Sequence, residues 1–113
     1  MNNRESSVKR TSTWEVRSSL FVALPGLETA ELVSRIGAYA SERGVDLVPA
    51  GTHDPDGCAR TVGGTFGIEA ESPGLAVDSA LNFLIKACDA LDIPVGEIEE
   101  IVVERGDIDP RDL

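Results

Sequence analysis

The sequence predicts a single α+β domain whose elements run strand, helix, strand, strand, helix, strand. Three observations carry this. Two long stretches alternate apolar and polar residues with a period of two, two others repeat apolar residues at helical spacing, and Pro-, Gly- and Asp-rich turn signals separate them. With 113 residues the chain has room for one modest core and not for two.

Residues 1–12 are polar and basic without apolar periodicity, and are expected to be a flexible arm. The first strand is expected from Trp14 to Leu24, where Trp14, Val16, Ser18, Leu20, Val22 and Leu24 alternate with Glu15, Arg17, Ser19, Phe21 and Ala23. A helix follows over 28–43, with Leu32, Val33, Ile36, Tyr39 and Ala40 on one face. Glu28 and Glu31 in its first turn and Arg43 in its last suit the helix dipole, and Gly44 supplies the stop. Val45 to Val48 predicts a short edge strand halted by Pro49. Residues 50–60 read as a loop around the turn signal Asp54-Pro55-Asp56-Gly57.

Val62, Gly64, Phe66, Ile68 and Ala70 then alternate with Thr61, Gly63, Thr65, Gly67 and Glu69 in a second long strand. Ser72 as N-cap and Pro73 at the first helical position open the second helix. Its stripe is Val77, Ala80, Leu81, Leu84, Ala87, Cys88 and Leu91, and Pro94 prevents its continuation. A last strand is expected over 98–104, before an acidic tail at 107–113. The domain thus spans 13–106. This order is ferredoxin-like βαββαβ. Right-handed crossovers place both helices on one face of a four-stranded antiparallel sheet of order 4-1-3-2, with the two long strands central. With five aromatic residues in the chain, the core is expected to be aliphatic.

Charge narrows the function. The formal net charge is −10, and it divides unevenly: residues 1–17 carry four bases against two acids, and residues 18–113 six bases against eighteen acids. A body this acidic repels polyphosphate, so no nucleic acid is expected on the folded body. The N-terminal stretch has no apolar run of signal-peptide type, and no window has the length and apolarity of a membrane span. A cytoplasmic protein with reduced thiols and no membrane partner is therefore expected. Cys88 belongs to the apolar stripe and is expected to be buried, whereas Cys58 lies in the turn-rich segment.

The chemistry-bearing constellations point away from catalysis. His53, Asp54, Asp56 and Cys58 gather metal-type ligands, but one His and one Cys five apart do not match zinc spacing, and Asp-Pro-Asp-Gly is a turn. Gly63-Gly64-x-x-Gly67 has glycine-rich spacing inside a strand, without the following helix and Lys of a phosphate loop. Pairs such as Glu69 with Glu71 and Glu99 with Glu100 are too abundant to single out a general base. No catalytic residue, metal or cofactor is expected.

The open face of the central strands instead draws attention. Arg17, Ser19 and Phe21 beside Thr61, Gly63 and Thr65 make it small, flat and mildly polar, with one aromatic. RNA recognition by such a sheet requires several aromatics. A flat Thr/Gly surface with a single large apolar residue suits packing against another sheet or backbone. The expectation is a non-enzymatic protein-interaction module. Its partner is another protein or a second copy of the chain in a homodimer, and it docks on this face or on the acidic surface.

Residues 22–48 (VALPGLETAELVSRIGAYASERGVDLV) resemble the first half of an ACT-type regulatory domain, through Pro25-Gly26-Leu27 after the first strand and Gly44-Val45-Asp46-Leu47 after the helix. The resemblance implies the alternative function of an amino-acid sensor with its ligand near Pro25, Gly26 and Leu27. The second half departs from that pattern, with a long loop at 50–60 and a helix opened by Ser72-Pro73. The Glu69-Ala70-Glu71-Ser72-Pro73 opening and the Val/Ala/Asp/Glu-rich style also resemble small uncharacterised proteins of high-GC actinobacteria and their phages, which implies no activity.

Overall fold

Alternation along the two long strands decides where the core lies. The computed structural model describes residues 11–22, 28–53 and 60–106, and in it the elements are β1 (Ser12–Val22), α1 (Thr29–Glu42), β2 (Leu47–His53), β3 (Arg60–Ala70), α2 (Pro73–Ala90) and β4 (Val95–Arg105). All pairings are antiparallel, and the sheet order is β2-β3-β1-β4. This is the ferredoxin-like βαββαβ arrangement, read from the other edge as 4-1-3-2.

Val16 pairs with Phe66 and Leu20 with Val62, and these four side chains are buried beneath the helices. Leu32, Ile36 and Ala40 are buried on α1, and Ala76, Ala80, Leu84, Ala87 and Cys88 on α2. Alanine at three of those five α2 positions lets the helix sit close to the sheet. The core is not wholly aliphatic, as composition had implied. Phe83 of α2 lies 5.7 Å from Tyr39 of α1 and 5.8 Å, edge to face, from the buried Phe66. A tilted aromatic row therefore joins both helices to the sheet.

Helix ends follow local rules. The Ser72 hydroxyl accepts the Leu75 N–H at 3.2 Å with Pro73 in the first turn. Gly44 ends α1 at φ +69, with Val45 N–H returning to the Ala40 carbonyl at 3.0 Å. Asp92 performs the same left-handed stop after α2, at φ 58, and the buried Ile93 closes the turn onto the Cys88 carbonyl at 2.8 Å. Arg43 caps α1 from outside the last turn, its guanidinium stacked over the Tyr39 ring at 3.5 Å.

Three boundaries differ from expectation. β2 starts at Leu47 and runs through Pro49 to His53, so residues 50–53 of what read as a loop are strand. Proline is tolerated there because β2 has a neighbour on one side only, leaving outward positions where a missing donor costs nothing. β4 begins at Val95 and is as long as β1 and β3, so length does not distinguish the central strands. β1 begins at Ser12, at the end of the expected arm. Residues 1–10 of the arm, the turn at 54–59, the Pro25–Leu27 loop and the tail at 107–113 lie outside the described residues. No helix among the described residues is long and apolar enough to cross a membrane.

Candidate interaction face

The face of the sheet opposite the helices collects every second residue of four strands. Register pairs Arg17 with Thr65, Ser19 with Gly63 and Phe21 with Thr61. It sets Val48, Ala50 and Thr52 of β2 beside Thr65, Gly63 and Thr61 on one side, and Glu104, Val102 and Glu100 of β4 beside Glu15, Arg17 and Ser19 on the other. All six residues singled out from the sequence therefore share this face.

They are not equally available. Thr61 is only 7% exposed and Gly63 is buried, so these two form a floor rather than a presented surface. Thr61 also shares a 2.7 Å hydroxyl–hydroxyl hydrogen bond with Thr52. Phe21 and Val48 stand out instead, at 38% and 67% exposure. The same face carries a groove of about 180 Å³, lined by Arg17, Ser19, Thr52, Thr61, Thr65, Glu99 and Glu100 among others. A smaller hollow continues from it, bordered by Glu15, Arg17, Thr65, Val102 and Glu104.

The glycines explain why the floor is flat. A Cβ on Gly63 would overlap the Ser18 carbonyl oxygen and lie 2.8 Å from Ser19 Cα. One on Gly64, which holds φ +148, would overlap the Val48 carbonyl oxygen. The glycine run is thus a requirement of close strand approach, not a ligand loop.

Two register shifts in the β1–β4 pairing shape the acidic side. Ser19 faces Glu100 while Leu20 faces Ile98, so Glu99 is an extra residue in β4. The Ser19 hydroxyl donates to Glu99 Oε1 at 2.5 Å, and Arg17 Nε lies 3.4 Å from Glu100 Oε1. The bulge therefore delivers two neighbouring carboxylates to one edge of the groove. In the sequence Glu99 and Glu100 are one carboxylate pair among several, and Glu15, Glu104, Val48 and Val102 carry no signal, because only register puts them on the same face.

The other candidates fare differently. Cys88 is buried and its thiol is pushed up to about 11 by desolvation, which makes it a core residue and a poor nucleophile. Asp54, Asp56 and Cys58 lie outside the described residues, as do Pro25, Gly26 and Leu27. Among the described residues no group of three or more His, Cys, Asp or Glu side chains is placed to hold a metal ion. No protein-family model, curated protein or solved structure matches the chain.

Proposed function

We propose that the protein is a non-enzymatic interaction module whose working surface is the open sheet face. The observation that carries this is the pair of exposed apolar side chains, Phe21 and Val48, on a grooved face that no element of the described chain covers. Area supports it too. Four strands about 4.8 Å apart and up to eleven residues long span on the order of 650 Å², close to one side of a standard protein–protein interface.

A homodimer is one way to cover such a face, and solution mass tests it directly. If sedimentation shows a dimer that Phe21→Glu converts to monomer, the second copy is the occupant. Among the described residues, however, the grooves are lined by four carboxylates and one guanidinium, a net of −3. Two such faces opposed about 10 Å apart repel, which favours a different, basic partner. A photo-crosslinking side chain at position 21, compared with one at position 82 on the exposed side of α2, tests the face itself in an extract of the native host. Adducts confined to position 21 support the proposal. Equal yields at both positions, or none at either, overturn it.

A further inference from the structure

The carboxylates on the open face form a pattern that edge protection does not account for. Glutamates on β4 alone would be unremarkable, because charge on an edge strand deters unwanted pairing. Glu15, however, lies on the central strand β1, directly opposite Glu104. Both are exposed, and neither makes an ion pair among the described residues. Like charges placed opposite each other across two strands weaken a sheet. Farther along the same trough Glu99 and Glu100 form a second acidic pair, and the one cation between the pairs, Arg17, is already engaged with Glu100.

On the basis that the open face is the working surface, we infer that its partner is an extended basic peptide segment lying along β1 and β4, with cationic side chains at positions i and i+4. Glu100 and Glu104 are four strand residues apart, about 13 Å, which is the separation of same-facing residues i and i+4 in an extended peptide. One cation meets Glu15 and Glu104, the other Glu99 and Glu100. The intervening same-facing residue lies over Thr65 and Val102, beside the Arg17 guanidinium, where a hydroxyl or carbonyl acceptor is favoured. A second copy of the chain brings acid against acid. A small polyamine has the charge spacing but leaves Val102 and Phe21, which lie on β4 and β1, uncovered.

Fluorescence anisotropy with a labelled peptide STRTSTRTS, whose arginines are four apart, tests this against STRTTRTSS, whose arginines are three apart and face opposite sides. The first should bind the purified full chain more tightly than the second, and binding should weaken as salt is raised. The double variant Glu15→Gln/Glu104→Gln should weaken it about tenfold while its melting temperature stays level or rises, because a repulsive pair has been removed. Equal binding of the two peptides, no effect of the double variant, or spermine displacing the peptide at equal concentration would overturn the inference. So would a stable dimer dispersed by Phe21→Glu. In every one of these cases crosslinking from position 21 still decides independently whether the face is used at all.

Discussion

Replacing Ser18 by alanine should stabilise the protein. Ser18 sits in the middle of β1, fully buried, opposite Gly64 on one side and Ile101 on the other. Its hydroxyl has no hydrogen-bond partner among the described residues. Its neighbours along the strand on the same face, Val16 and Leu20, belong to the apolar core. A buried hydroxyl without a partner forfeits its bonds to water and costs about 1–3 kcal/mol. Alanine keeps the Cβ and removes the oxygen, leaving a void of roughly 10–15 Å³ that costs about 0.3 kcal/mol at about 24 cal/mol per Å³. The balance is a gain of about 1 kcal/mol, which in a domain of this size raises the melting temperature by about 4–8 °C.

Urea unfolding followed by tryptophan fluorescence measures this cleanly. Trp14 is the only tryptophan, it packs against the core, and its indole N–H donates to the Ala70 carbonyl at 3.1 Å, linking the two central strands. The midpoint should move up with the slope unchanged. A loss of more than about 0.5 kcal/mol in Ser18→Ala would refute the reasoning, because a loss of that size means that the hydroxyl makes a net favourable bond in solution.

Two other outcomes follow from the packing. Gly63→Ala should destabilise by about 3 kcal/mol or fail to fold, because the new methyl meets backbone of β1 that cannot rotate away; a cost below about 1 kcal/mol in the same urea assay would show that the strands separate easily. Cys88 is a thiol whose folded value of about 11 lies above the ordinary value of 9.0 because burial disfavours the thiolate. The folded state therefore holds its proton longer than the unfolded state. Its contribution to stability is complete below about pH 9 and is lost between about 9 and 11. Comparing the pH dependence of unfolding in the parent chain and in Cys88→Ala should show a fall over that window that the variant lacks.

How far the sequence carried these conclusions depended on whether the relevant signal was local. The alternation from Trp14 to Val22, the Ser72-Pro73 helix start and the Gly44 stop are local, and each appears where expected. β2 was cut short because Pro49 breaks most strands, and only its edge position makes it harmless. The Asp92 stop was invisible because a left-handed aspartate carries no glycine-like marker. Glu99 is the sharpest case. In a strict period of two it would point to the helices, and the bulge that turns it toward Ser19 arises from how β4 pairs with β1.

The same bulge links the architecture to the proposed partner. Without an extra residue at Glu99, β4 would present Glu100, Ile98 and Gly96 to the open face in regular alternation, and the groove would have one carboxylate at its upper edge. With it, Leu20 faces Ile98 instead of Glu99, while the open side gains a second acid. Stability alone does not call for this: a second carboxylate beside Glu100 adds like-charge repulsion, and a bulge forfeits ladder hydrogen bonds. The flat Gly63 position, the exposed Phe21 and Val48 and the doubled carboxylates at the groove edge are three departures from what an isolated sheet prefers, and all three lie on one face. Deleting Glu99 therefore separates the two roles. The shortened strand should restore regular pairing and retain or improve stability, while binding of the STRTSTRTS peptide falls; a variant that unfolds instead would show that the bulge serves the twist of the sheet.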